Sequence, residues 1–169
     1  MMNSSKLSLP GLAVALEAVL GWLACTAQVV APPLLRIALA VPFFKSGLTK
    51  WDGFLSLSPK AIFMFSDMFK LHLVGHAYAF PVPTVFAWVD GLAEIVLPIL
   101  LVIGLATRFS ALGLLVMTGF IQLVVPEGWA NFHLPWASLA VAIIALGPGR
   151  LSLDHLIKRF VPRIWKSRP

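Results

Sequence analysis

Four long apolar stretches, separated by proline, glycine and short polar turns, organise the sequence. They run from about Leu34 to Trp51, Thr84 to Gly104, Phe109 to Val125 and Phe132 to Leu146. A helix that crosses a bilayer needs roughly 20 mostly apolar residues, so each stretch predicts a membrane span. Pro42 and Pro98 fall inside spans and predict kinks. Ala106-Thr107-Arg108 forms a tight turn between the second and third spans. Pro126-Glu127-Gly128 ends the third, and Gly147-Pro148-Gly149-Arg150 stops the fourth.

Two stretches fit less simply. From about Leu9 to Val30, Glu17, Gly21, Ala24 and Gln28 form a small and polar stripe, opposite Leu12, Leu16, Val19, Leu20 and Leu23. That pattern predicts an amphipathic helix in the interface, with a fifth span as the alternative. Glu17, and the lack of a small-x-small cleavage site before a polar start, read the segment as retained rather than as a signal peptide. Ala31-Pro32-Pro33 is expected to break that helix and start the next. The second stretch, Asp52–Pro83, is too apolar for a flexible linker. Ser58-Pro59 is an N-cap and first-turn pair, so a short interfacial helix is expected through Ala61–Phe65. The expected fold is all-α: an integral membrane four-helix bundle with an extra N-terminal amphipathic helix and a short interfacial helix in the first outward loop. Residues 1–33 form the N-terminal helix, 34–156 the membrane domain and 157–169 a basic cytoplasmic tail.

Composition agrees. The chain is 59% hydrophobic and 12% charged, with a mean hydropathy of +0.91. Soluble domains carry about 25% charged residues, so a water-exposed surface is excluded. The net charge is +6, gathered at Lys158, Arg159, Arg163, Lys166 and Arg168. Without interleaved aromatics this cluster does not predict nucleic acid as a partner. It marks a cytoplasmic end beside anionic lipid. Arg108 in the short turn agrees with it, and the Pro126–His133 loop carries no Lys or Arg, so both termini are expected in the cytoplasm. Trp51, Trp88, Trp129 and Trp136 fall near the outer boundary as an aromatic belt. The chain has one cysteine, Cys25, so any thiol chemistry needs a second group from a partner or cofactor.

Ionisable residues inside spans cost at least ~2.5 kcal/mol each on insertion scales, so they persist when paired or when facing a cavity. Measured from Trp51 at about 1.5 Å per residue, Lys45 lies roughly 9 Å deep, at the depth of Asp90. Glu94 lies one turn further, on the same face as Asp90. Gln122 and His133 sit near the same outer end. Lys45, Asp90, Glu94, Gln122 and His133 are therefore expected to converge on one outward-facing polar pocket. A purely structural alternative has Lys45 neutralising Asp90 or Glu94, Arg36 pairing with Glu94, and Gln122 bridging helices. His72 and His76 have the spacing of two imidazoles on one helical face. Gly75 between them and the lack of a third ligand leave no metal site predicted.

Four segments in order carry a resemblance. They are Leu34–Ala40 followed by Lys45-Ser46-Gly47-Leu48-Thr49-Lys50; Gly91–Pro98; Gly104–Ala111; and Gly147–Asp154. Together they resemble the DoxX family. The resemblance implies a four-helix protein of the bacterial inner membrane, with Arg36, Lys45, Lys50, Glu94 and Arg108 as the matching polar positions. Family members are linked to thiosulfate:quinone oxidoreductase or to thiol-oxidative and metal-stress systems with partner proteins. The expectation is a redox subunit that passes electrons from an outward-facing thiol, sulfur or protein donor to quinone. Glu94, Asp90, Lys45 and His133 are its candidate catalytic residues. Gln122, Trp129, Arg36 and Lys50 are its candidate quinone-binding residues. No dithiol, haem or iron–sulfur motif is present, so the donor is substrate or a partner encoded nearby; homo-oligomerisation is left open. The alternatives are a non-enzymatic membrane partner in a metal or oxidative stress system and, with less support, a small anion or proton carrier.

Overall fold

The computed structural model describes residues 9–160. The first helix, α1, runs unbroken from Leu9 to Leu48. The expected break at Pro32-Pro33 is absent. A proline φ near −65° suits a helix, and two adjacent prolines remove only the hydrogen bonds of a single turn. Pro32 is also buried, pressed against Gly149, which holds that turn in place. At 1.5 Å per residue the 40-residue helix is about 60 Å long, twice the ~30 Å apolar core of a bilayer. Its second half belongs to the bundle. Its first half extends past it, with residues 11–28 exposed on every side.

The other three long helices match the expected spans closely: α3 (Pro83–Ile103), α4 (Thr107–Val124) and α5 (Leu134–Leu146). A 3-10 turn at Pro126–Gly128 and a π-turn at Trp129–His133 precede α5 and extend it to 21 residues. Four helices are thus long and apolar enough to cross a membrane. The chain is a multi-pass membrane protein whose solvent is the lipid bilayer. Helix α1 packs on α3 and α5, and α4 packs on the same two, so the four close into a ring. Leu39, Ala40, Phe43, Leu101, Ala111, Leu114, Ala140 and Ile143 fill its centre.

One end of the ring is closed by a clasp. The Asp154 carboxylate accepts from the backbone N–H groups of Ala106 and Thr107, at 2.8 and 2.9 Å, and from the Thr107 hydroxyl at 2.8 Å. It therefore caps α4 from the start of the last helix, α6 (Leu153–Phe160). Its own N–H donates to Gly104 O at 2.8 Å. Gly104 has φ +73°, and a Cβ there would overlap Ser152 and the Arg36 guanidinium. Arg36, fully buried, donates to the carbonyls of Pro32, Val102 and Leu151. The Gly147–Asp154 segment thereby ties α1, α3 and α4 together. Lys158 and Arg159 lie on α6; Arg163, Lys166 and Arg168 lie outside the described residues.

Partial burial alone would raise the Asp154 carboxyl, yet the Thr107 and Ala106 donors, with Lys158 nearby, hold it below its ordinary value. A depressed carboxyl stabilises the fold above its unfolded pKa, near 4, and loses that contribution as pH falls through the folded value. Asp154→Ala is expected to lower stability by about 1 kcal/mol at neutral pH, the cost of a lost N-cap. Thermal melts in lipid nanodiscs should show the gap to the wild type narrowing below about pH 4.

The opposite end carries a small cap. Ser58 Oγ accepts the Ala61 N–H at 3.2 Å and starts α2 (Pro59–Phe63), as expected, and a π-turn follows at Met64–Met68. Beyond it lies an element that was not expected, a hairpin of β1 (Lys70–Leu73) and β2 (His76–Ala79). Val74 and Gly75 form its two-residue turn with φ +50° and +80°, the left-handed pair such turns require. Phe65, Phe80 and Ala87 join this cap to α3.

Candidate functional site

Helices α1 and α3 approach each other most tightly where Gly47 faces Glu94: a Cβ on Gly47 would lie 2.9 Å from the Glu94 Cβ. That contact sets Lys50, one turn on, beside the two acids of α3. Lys50 Nζ lies 2.7 Å from Asp90 Oδ2 and donates to Glu94 Oε2. It also donates to Ser46 Oγ at 3.4 Å. Glu94 and Lys50 are buried and Asp90 is half-buried. The Trp51 indole N–H donates to Gly91 O at 3.4 Å, and its ring meets Trp88 edge-on at 5.6 Å, shielding the cluster from the side.

The cluster forms one wall of a cavity of about 420 Å³. The opposing walls are aromatic and aliphatic, with Phe43, Phe65, Phe80, Phe86 and Trp136 prominent among them. Ser46, Thr49, Lys50, Asp90 and Glu94 are the polar groups on this lining. With both acids ionised, two carboxylates and one ammonium leave a formal charge of −1. In a low-dielectric setting such a surplus is costly unless a further group offsets it. The hollow is thus mostly apolar and aromatic, with its charge confined to Lys50, Asp90 and Glu94.

The sequence-predicted residues divide. Asp90 and Glu94 share a face and act together, as their spacing implied. Lys45 does not join them: it is exposed, two residues and so about 200° round the helix from the buried Phe43. Lys50 is the cation of the cluster instead. Arg36 sits in the clasp at the other end, about 18 Å along α1 from Leu48, where the helix ends just before Lys50, and does not reach Glu94. Gln122 and His133 find each other rather than the acids. His133 Nδ1 lies 2.6 Å from Gln122 Oε1, and Gln122 Nε2 donates to Pro126 O at 3.0 Å. Together they latch the turn before α5. His133 also packs on Trp136, whose ring centroid lies 5.6 Å away on the cavity wall. Trp129 is half-exposed outside the cavity.

His72 and His76 belong to the hairpin. His72 pairs with Ala77 and His76 with Leu73, so alternation sends the two imidazoles to opposite faces. No cluster of three or more potential metal ligands exists among the described residues. The aromatic wall escaped sequence analysis. Phe65, Phe69 and Phe80 come from the cap, where no helical period links them to α3. Their density within Phe63–Phe86 was the available signal.

The DoxX family model matches residues 31–127. An uncharacterized protein of Haemophilus influenzae is 31% identical over 141 residues, covering 76% of this chain and 84% of that protein. No solved structure matches.

Proposed function

This chain belongs to the DoxX family, and from that premise we propose that its aromatic cavity takes a quinone ring from the bilayer and that Lys50, Asp90 and Glu94 serve the ring's reduction. The supporting observation is the juxtaposition of an apolar, aromatic hollow with a buried acid–base wall. A cavity of about 420 Å³ lies within the roughly 300–1,000 Å³ range of small-molecule sites. Phe43, Phe86 and Trp136 offer faces and edges for a flat ring.

Reduction of a quinone to a quinol takes up two electrons and two protons. Lys50 would exchange its long hydrogen bond to Ser46 Oγ, at 3.4 Å, for one to a ring oxygen as negative charge develops there. Glu94 and Asp90, which share one cation, are placed to pass a proton to that oxygen. The electrons come from an outward-facing thiol, sulfur compound or partner protein. The chain's one cysteine, Cys25, is on the projecting half of α1 and brings no dithiol of its own. Gln122 and His133 then act as positioning residues, bracing Trp136 rather than touching the ring. In this reading the membrane is a bacterial inner membrane and the Lys50 end faces outward. Arg108, Arg150, Lys158 and Arg159 all gather at the Arg36 end, the cytoplasmic arrangement.

A second reading, a non-enzymatic membrane partner, draws on the pairing of Lys50. Its three N–H donors meet Asp90, Glu94 and Ser46, as a structural bridge would require. The experiment is a titration of the full-length protein in nanodiscs with a short-chain quinone, read by tryptophan quenching. Saturable quenching is expected, weakened at least about tenfold by Ala93→Trp, which fills the cavity, and by Glu94→Gln. Absent quenching, or quenching indifferent to both variants, removes the quinone reading. A stability change in Glu94→Gln with undisturbed quinone binding favours the bridge.

A further inference from the structure

A second cleft, of about 540 Å³, opens at the other end of the molecule. One side is α1 just before the bundle, with Ala27, Gln28 and Ala31. The floor is Leu146 and Pro148, where α5 ends, and α6 closes the far side with His155 and Lys158. Gly149 sits directly on Pro32 in this lining: a Cβ there would fall 2.6 Å from the Pro32 Cβ. We propose that this cleft binds a phosphate-bearing anion at the membrane boundary.

Charge carries the first part of the case. Arg150, Lys158 and His155 rim the cleft, and among the described residues none of them forms a salt bridge. Arg108 adds a further cation beside Gly147. The acid nearest in sequence, Asp154, is committed to capping α4 through Ala106 and Thr107. Glu17 is ten residues from Ala27, about 15 Å along α1. The cleft thus presents cations, with the amide of Gln28 as an added donor; among the described residues the one carboxylate near them is Asp154, which lies near Lys158 but is occupied by the α4 donors.

Position carries the second part. Helix α5 leaves its apolar stretch at Leu146, so the rim lies at the level where a span meets headgroups. The half of α1 that rises beside the cleft exposes Leu20, Leu23 and Val30. That half of α1 extends past the bundle, so a lipid held here would run its acyl chains the other way, along the spans. A phospholipid headgroup and free phosphate share the chemistry the rim recognises, and they differ in whether acyl chains tether the ligand to the bilayer.

The test is native mass spectrometry of the full-length protein released from micelles holding equal amounts of phosphatidylglycerol and phosphatidylcholine. Preferential retention of phosphatidylglycerol is expected. Arg150→Gln and Lys158→Gln should each reduce that preference roughly fivefold, the effect of one basic residue near an anionic surface. Lys60→Gln with Lys70→Gln removes the same charge at the far end and should leave the preference unchanged. Inorganic phosphate in a parallel arm separates the sources. Binding of phosphate with no lipid preference assigns the cleft to the free anion; lipid preference untouched by millimolar phosphate assigns it to a headgroup. The proposal falls if neither ligand is retained, or if the far-end variant loses as much preference as Arg150→Gln with Lys158→Gln. Arg150, Lys158 and Lys60 are exposed and Lys70 is half-buried, and thermal melts matching the wild type keep the comparison about binding.

Discussion

Lys50→Met is expected to destabilise the bundle by roughly 3–5 kcal/mol, the cost of removing one partner from a buried ion pair. Methionine has about the right length and leaves no cavity, so the loss isolates charge. Asp90 and Glu94 would then face each other and an apolar wall with no cation between them. Unfolding in mixed micelles, followed by circular dichroism, reads the effect. The decisive comparison is the triple variant Lys50→Met, Asp90→Asn, Glu94→Gln. It removes all the charge together and is expected to recover most of the stability, because replacing a whole buried ionic group is often neutral. It should not recover quinone binding, since the acid–base wall is gone. Lys50→Met melting like the wild type would show that the acids are already neutral or solvated, and the cluster would lose its role as a charged site. Lys45→Met, the same change five residues earlier at an exposed position, should be silent.

That contrast shows what the sequence discloses and what it withholds. Depth in the membrane is legible, because a helix advances a fixed distance per residue. It correctly put Asp90 and Glu94 at neighbouring levels on one face. Phase around a helix is legible only with a reference residue, and in α1 the wrong one was used. Arg36, Leu39, Ala40, Phe43, Gly47 and Lys50 recur at intervals of one, three or four residues, and that buried stripe includes Lys50 and leaves out Lys45. Counting depth from Trp51 favoured Lys45 because it lay deeper; reading the stripe selects Lys50.

The number of spans, the ends of the last three and the all-α class followed from hydropathy and turn residues, since lipid leaves a chain few other options; the start of the first span did not, because α1 continues back to Leu9. The cap did not follow. Lys70–Ala79 alternates only weakly, and its turn sets Val74, a β-branched residue, at φ +50°, where propensity would not place it. The pairing Gln122–His133 was equally hidden. Both residues lie at the end of the bundle away from the Arg36 clasp, but two polar groups near two acids do not disclose which will pair with which. At Pro32-Pro33 the helix packs against Gly149, more than a hundred residues away, and no local rule contains that contact.

Arg36→Met is expected to cost roughly 3 kcal/mol or more, from the two distant carbonyls it would leave without a donor at about 1–3 kcal/mol each, and from its bond to Pro32 O. The carbonyls of Val102 and Leu151 belong to the end of α3 and to the closing segment, so no helical neighbour replaces the guanidinium. Arg36→Lys should recover only part of the loss, because one ammonium cannot reproduce a planar fork spanning three carbonyls. Gly104→Ala should mimic Arg36→Met, since its methyl would occupy the guanidinium's place and sit at φ +73° as well. The readout that distinguishes this end from the other is binding in the fraction that stays folded. Arg36 lies about 18 Å along α1 from the helix end beside Lys50, so its variants should melt early and still take quinone with the wild-type affinity. Lys50→Met should lose both. If Arg36→Met instead abolished quinone binding in protein that remained folded, the arginine would belong to the site, and the separation of clasp from cavity would fail.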